Sequence, residues 1–249
     1  ATTEIYTLSL HDALPIFDAI ARFLWECNDL GIDTIETGAA IGVAMAGGLL
    51  PFGDMDGVLD LFDQMRRGTP VGRLIGAGTA TVGRVLGVRE VPVVKGQAMA
   101  AYDPRVIKGN GVTYATSPMG ADHTAGNSIG ARVDHLDPAG KVALSRELQI
   151  TAALLDSLGM CSFSRAAYVP HEAHFLELIR ARFAAEVSAE DLRTLALDTI
   201  RIEVAFNRRA GLGPETDRLP EWMREVPLPP HNAVFDVPQE ELDAIWQEK

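Results

Sequence analysis

The sequence has only two cysteines, Cys27 and Cys161, among its 249 residues. Two thiols exclude the disulfide framework that holds small secreted domains together, and they predict a reducing, cytoplasmic compartment. Basic residues are also scarce, with 22 Lys and Arg against 34 Asp and Glu. The resulting net charge of -12 disfavours a nucleic acid as partner, because neutralising phosphates requires clustered Lys and Arg.

Long hydrophobic runs are missing as well. No stretch reaches the roughly 18 uninterrupted apolar residues that a membrane-spanning helix needs, and the best candidate, residues 41–52, is short and rich in glycine. The sequence therefore predicts no membrane association. What is present is a 47% hydrophobic, 22% charged composition, typical of a globular protein with a large core and one or two domains.

The first 16 residues, ATTEIYTLSLHDALPI, resemble the translation of a short-read sequencing adapter. A segment of that origin carries no information about fold or function. Only residues from Phe17 onward are therefore expected to determine the fold, and His11 is not a candidate ligand. The chain is expected to be a fragment of a longer protein.

Apolar residues at three- and four-residue spacing predict a mainly α-helical, multihelical protein. The one good strand candidate is residues 91–94, and the proline-rich residues 211–238 predict an extended tail. Residues 97–140 lack periodicity and predict a long ordered loop. The predicted helices cover residues 17–30, 34 or 37 to 45, 58–65, 71–86, 141–157, 171–185, 188–210 and 239–247.

Two similar turns lie far apart in the chain, at residues 28–33 (NDLGID) and 156–161 (DSLGMC). Each has a side chain with an acceptor oxygen, then a glycine three residues later, then an aspartate or a thiol. Two interpretations are open from the residues alone. The turns are helix ends followed by new helix caps, or they are two halves of a cofactor clamp.

Three segments in order, CNDLGIDTIETG, AYDPRVIKGNGVTYATSPMGADHT and LLDSLGMCSF, resemble the aldehyde ferredoxin oxidoreductase family. AFNRRAG and DRLPEWMREVPLPP extend the resemblance over residues 17–249. It implies the C-terminal helical domains of that fold. Residues 17–100 would form the C-terminal part of the middle helical domain, and residues 101–249 would form a C-terminal helical domain with an active-site loop.

The resemblance also implies a tungsten or molybdenum bis-pyranopterin beside a [4Fe-4S] cluster. His123 corresponds to the catalytic histidine, and Cys161 to the last cluster ligand, whose three companions would lie in an upstream CxxCxxxC segment. The positions that correspond to pterin contacts are Asn28, Ile32, Asp33, Asp156 and Met160.

The implied activity is oxidation of a small aldehyde to a carboxylic acid, with electrons passing through the cluster to ferredoxin. A homodimer is one assembly open to the full-length protein, and the fragment alone is expected to be inactive. Basic residues that the family often places around the histidine are replaced by Met119 and Ala125, and Arg105, Lys108 or Arg132 could supply the charge instead. Two alternatives are a family member with another substrate, and a helical module that has lost the cofactor.

Overall fold

The computed structural model describes residues 17–247, apart from the side chains of residues 168 and 169. The adapter-like residues 1–16 lie outside this range. Twelve α-helices and one two-stranded hairpin form the described part of the chain, so the prediction of a mainly α-helical protein is confirmed. Between residues 17 and 247 no helix is both long and apolar enough to cross a membrane.

The first five helices enclose one hydrophobic core. Their bounds are α1 Phe17–Leu30, α2 Thr34–Ala46, α3 Met55–Arg67, α4 Pro70–Gly76 and α5 Thr79–Leu86. The centre is α2, whose Ile41, Val43 and Ala44 are buried, and Cys27 packs against the same cluster. Cys27 is therefore a core residue, because its thiol fills apolar space like a small hydrophobic side chain.

Two details of this region correct the predictions. The sequence leaves the start of α2 open between Thr34 and Thr37. Asp33 caps the helix, because its carboxylate accepts a hydrogen bond from the Glu36 N–H at 2.7 Å, and the helix begins at Thr34. The single helix predicted over residues 71–86 is divided between α4 and α5, because Gly78 has a φ of 87°. A left-handed glycine breaks the helical backbone even where the apolar spacing continues.

A short antiparallel hairpin follows, with β1 Val93–Val94 paired to β2 Gln97–Ala98. Its first strand lies within the predicted residues 91–94. The carboxylate of Glu36 accepts hydrogen bonds from the N–H groups of Thr79 and Ala98, at 2.7 and 2.8 Å. This carboxylate therefore ties the hairpin to the first helical core.

The stretch predicted as a loop contains a helix, α6 Lys108–Thr116. All nine of its residues are buried, so it has no polar face to give the sequence a helical period. The next helix, α7 Lys141–Ser157, has the predicted bounds. Buried hydrogen bonds join the two, since the Gln149 amide donates to Thr116 Oγ1 at 2.9 Å and the hydroxyls of Thr113 and Ser145 are hydrogen-bonded at 2.7 Å.

Four further helices follow α7, namely α8 Arg165–Tyr168, α9 Glu172–Phe183, α10 Ala189–Arg209 and, within the tail, α11 Trp222–Glu225. The long α10 begins with a capping box formed by Ser188 and Asp191 and packs along α7. Its buried residues Leu192, Ala196 and Ile200 recur every fourth position, which is the spacing of a helix face turned toward the core.

The tail is extended except for α11 and one 3-10 turn, Pro214–Thr216, and the chain then forms α12 Gln239–Asp243. Three side chains of the tail, Trp222, Met223 and Phe235, pack into a hydrophobic core shared with α6. The Trp246 indole donates to the Thr116 carbonyl at 3.1 Å. The tail is therefore built into the domain, where it covers α6.

Candidate functional site

The first turn, residues 28–33, is the end of helix α1. The Gly31 N–H donates to the Asn28 carbonyl at 3.2 Å, and the Ile32 N–H donates to the Cys27 carbonyl at 3.0 Å. Gly31 has a φ of 69°. These are the hydrogen bonds of a Schellman motif, in which a left-handed glycine closes a helix.

The second turn, residues 156–161, repeats this arrangement at the end of α7. The Gly159 N–H donates to the Asp156 carbonyl at 3.0 Å, the Met160 N–H donates to the Leu155 carbonyl at 2.8 Å, and Gly159 has a φ of 67°. The side chains of Asn28 and Asp156 are both exposed beside their turns. Two equivalent helix ends thus each present an oxygen acceptor to the surroundings.

The loop that carries His123 follows α6. Asp122 holds the next turn, because its carboxylate accepts from the Thr124 N–H and hydroxyl, both at 2.8 Å. His123 Nδ1 lies 4.0 Å from Asp122 Oδ1, and the imidazole centroid lies 5.3 Å from the ring of Tyr102. The imidazole is 24% exposed, so it is held by its neighbours but is open on one side.

A cleft of about 510 Å³ lies between this loop, α7 and α10. Asp122 comes from the loop, Asp156 from α7 and Glu203 from α10, so three carboxylates face one open space. The remaining lining residues are Ser117, Pro118, Met119, Ala125, Gln149, Ala152, Ala153, Thr199, Ile200, Ile202, Phe206 and Asn207.

Of the predicted site residues, the structure places Asp156 in the lining of this cleft. His123 is not among the lining residues, but its neighbours in the loop, Asp122 and Ala125, are. The segment Asn28–Asp33, with Ile32, belongs to the first helical core and does not contribute to this lining. Met160 packs into the α7–α10 core, and Cys161 is exposed just beyond it.

The carboxylates of the cleft influence each other. Partial burial raises the pKa of Asp156, and the negative charge of Asp122 adds to the effect. Partial burial likewise raises the pKa of Glu203, with a contribution from Asp156. Within residues 17–247 no hydrogen bond or ion pair satisfies either of these two carboxylates, so both are open to a ligand that offers N–H donors.

Two of the three cations suggested as substitutes for the missing basic residues are engaged elsewhere. Arg105 is fully buried and forms an ion pair with Asp103, with an Nη2–Oδ2 distance of 2.6 Å. Lys108 is buried and paired with Asp236. Arg132 is exposed. The prediction that Arg105 or Lys108 replaces the missing basic residues is therefore wrong, because each of them is already paired with an aspartate inside the protein.

Comparison with known proteins decides the family. The family described as "Aldehyde ferredoxin oxidoreductase, domains 2 & 3" matches residues 6–248. The chain belongs to the aldehyde ferredoxin oxidoreductase family. The tungsten-containing aldehyde ferredoxin oxidoreductase of Pyrococcus furiosus is 27% identical over 227 residues, which are 82% of this chain and 37% of that protein.

A second relative gives the same picture. The tungsten-containing aldehyde ferredoxin oxidoreductase of Thermococcus kodakarensis is 26% identical over 246 residues, which are 89% of this chain and 40% of that protein. The chain thus spans about two fifths of the length of these curated relatives. It corresponds to the family's second and third domains.

The resemblance implied a pterin and a four-thiolate cluster, and the residues of this chain fit part of that expectation. A pterin ring presents N–H donors along one edge, and the unsatisfied Asp156 carboxylate is a matching acceptor. Cys161 offers an exposed thiol. Among residues 17–247, no group of three or more His, Cys, Asp or Glu side chains is arranged to hold a metal ion, so a four-thiolate cluster cannot be completed by these residues.

Glu203 and Asn207 were not predicted as site residues, although both line the cleft. They lie on α10, where the periodic pattern indicated only a helix packed on the core. No local sequence signal marked them, because the exposure of their neighbours Ile202 and Phe206, 70% and 71%, is known only from the structure.

Proposed function

We propose that this chain is the C-terminal part of an oxidoreductase that oxidises aldehydes to carboxylic acids at a tungsto- or molybdopterin. Electrons would leave through a [4Fe-4S] cluster to ferredoxin. One observation carries the proposal: the Asp156 turn and the loop of His123 border the same cleft. The family membership of the chain and the tungsten named in its relatives support it.

Each turn would hold one pterin. Asp156 would accept hydrogen bonds from the ring N–H groups at the α7 end, and the backbone beside Met160 would help to hold the ring. Asn28 would do the same at the α1 end, with the backbone beside Ile32. Asp33 has one carboxylate oxygen committed to the Glu36 N–H, so its other oxygen is the one open to the cofactor. Cys161 would be the fourth thiolate of the cluster.

A metal-pterin held by these residues would supply the two-electron chemistry, and a cluster held in part by Cys161 would supply one-electron transfer. Oxidation of an aldehyde with water gives a carboxylic acid, two protons and two electrons. His123 would donate a hydrogen bond to the aldehyde oxygen or accept one of the released protons, since an imidazole changes protonation near neutral pH. The apolar side chains of the cleft, such as Met119 and Phe206, would exclude bulk water around the reacting group.

The test uses the full-length protein, recovered with its upstream reading frame and produced without oxygen in the presence of tungstate or molybdate. We expect an upstream CxxCxxxC segment, cluster absorbance, and reduction of a viologen dye that depends on an added aldehyde. The 249-residue chain alone should show neither cluster absorbance nor dye reduction. Full activity from that chain would overturn our assignment of the missing ligands and of the missing first domain.

A different substrate is the second candidate. Met119 and Ala125 line an acidic cleft at positions where the family often has basic residues, and that change favours a member acting on another substrate class. A panel of aldehydes, carboxylic acids and reducible ring compounds, assayed with the full-length protein, separates the two. A helical module without cofactor would instead lack the upstream cysteines.

A further inference from the structure

The hairpin turn before α6 has an unexpected residue in it. Lys95 and Gly96 form the two-residue connection between β1 and β2, with φ values of 51° and 86°. Such a turn requires left-handed backbone at both positions and favours Asn-Gly. A lysine with a positive φ is uncommon at the first position, so its side-chain contacts are of interest.

The side chain of Lys95 is 3% exposed, and its ammonium group is satisfied by three partners. It donates to the carbonyls of Ala115 and Ser117, both at 2.9 Å, and it pairs with Asp217 Oδ1 at 2.6 Å. Ala115 lies in the last turn of α6, and Ser117 begins the loop of His123. The ammonium therefore fixes the point at which the loop leaves the helix.

The same loop is held at its next residues. The Asn207 amide of α10 donates to the Pro118 carbonyl at 2.6 Å. Gly120 has a φ of 107°, and a Cβ there would lie 2.6 Å from the Val94 carbonyl oxygen. The Asp122 N–H then donates to the Gly120 carbonyl at 2.7 Å. An unbroken set of contacts thus leads from the hairpin to the residue that precedes His123.

We propose that Lys95 is a positioning residue for His123, acting through the carbonyls of Ala115 and Ser117. The proposal rests on the proposed function, since it takes His123 as the group that meets the substrate. Asp217 balances the buried ammonium, and Asn207 holds the opposite side of the loop. Loss of the ammonium leaves the helix end and the loop without their shared donor, so the imidazole moves relative to the cleft.

Lys95→Asn in the full-length holoenzyme is the sharpest variant, because asparagine suits the left-handed turn and only the anchor is lost. Lys95→Asn combined with Asp217→Asn also removes the carboxylate that the single change strands in a half-buried place. Arg89→Asn is the matched control. Arg89 precedes the same hairpin and pairs with Glu225 in the tail, but this pair is exposed and does not contact the loop.

We expect kcat to fall by about 100-fold in both Lys95 variants, the cost typical of a small displacement of a reacting group. KM should stay within roughly threefold, because ground-state binding is not the interaction removed. Hydrogen exchange should rise in residues 115–124 and remain unchanged in α3. Arg89→Asn should match the unmodified enzyme in all three measurements.

A kcat in Lys95→Asn within roughly twofold of the unmodified value overturns the proposal, and so does unchanged exchange in residues 115–124. A kcat restored in the double variant also overturns it, because the defect would then come from the stranded Asp217. If the unmodified protein oxidises no aldehyde, the proposed function fails. The exchange measurement then decides whether Lys95 holds the loop.

Discussion

Asp33 and Cys161 have the same backbone conformation at equivalent places in two turns. Asp33 has φ and ψ of -69° and 134°, and Cys161 has -66° and 138°. Each stands two residues after a left-handed glycine, and each precedes a new helical segment. One backbone geometry, a helix end at a left-handed glycine followed by a new helical segment, therefore presents a carboxylate at one turn and a thiol at the other.

Asp156 can be tested through cofactor content. We expect Asp156→Ala in the full-length protein to lose about tenfold in retained tungsten and pterin, because a hydrogen bond to a charged acceptor contributes roughly that factor to binding. Metal analysis and pterin fluorescence measure it. Asp60→Ala on the exposed surface of α3 is the control and should retain both. Equal cofactor content in the two variants would remove Asp156 from the clamp.

His123 can be tested by separating catalysis from assembly. We expect His123→Gln to lower kcat by a factor of about 100 to 10,000, the usual contribution of a positioned acid or base, with the tungsten content unchanged. Steady-state kinetics of the full-length enzyme give the first value and metal analysis the second. His174→Gln, on the exposed surface of α9, should behave as the unmodified enzyme. Retention of kcat in His123→Gln would exclude a catalytic role.

Glu203 links the cleft to the dependence of stability on pH. Its pKa is raised in the folded protein, so between the ordinary and the raised pKa the folded state binds more protons than the unfolded state. Stability from this group is then greatest at low pH and declines as pH rises through that window. Glu203→Gln should remove the decline and raise Tm at pH 7 by about 1 °C, a small effect because solvent screens this exposed group.

Melting curves from pH 4 to pH 8 measure this change. Glu177→Gln on exposed α9 changes charge equally and should leave the profile unaltered. A Tm difference between Glu203→Gln and the unmodified protein that stays constant over the whole range would contradict a titrating Glu203.

Gly120 and Gly140 form a matched pair for the packing of the His123 loop. Both have positive φ, 107° and 70°, so an alanine at either site adopts an unfavourable backbone conformation. A Cβ meets the Val94 carbonyl at Gly120, but it meets no atom within 4 Å at Gly140. We expect Gly140→Ala to cost about 1 kcal/mol and Gly120→Ala to cost about 1–3 kcal/mol more, measured by denaturant unfolding. Equal losses in the free energy of unfolding for the two variants would mean that the loop at Gly120 is not closely packed against the hairpin.

Sequence patterns predicted the elements whose two faces differ in polarity. α1, α7 and α10 have a buried and an exposed side. α6 was missed because burial on every side leaves no period. The break at Gly78 was missed because the apolar spacing continues across it.

The candidate site was also predictable only in part. The helix ends at Gly31 and Gly159 could be predicted, because glycine after a periodic helix is a local signal. The cleft could not, because Glu203 and Asn207 enter it only through the packing of α10 on α7. The anchoring of the His123 loop by Lys95 depends on contacts with residues 20 or more positions away.

The proline-rich tail matters beyond its own packing. Asp217 in the tail pairs with Lys95, and Trp246, which lies beyond the tail, donates to the last carbonyl of α6. The residues after α10 therefore support both Lys95 and the helix that leads into the His123 loop. A protease cut near the exposed Gly211 would leave the helices that line the cleft intact but would separate the tail from α10. Under the proposed function, a preparation nicked there would lose turnover although every residue that lines the cleft is still present.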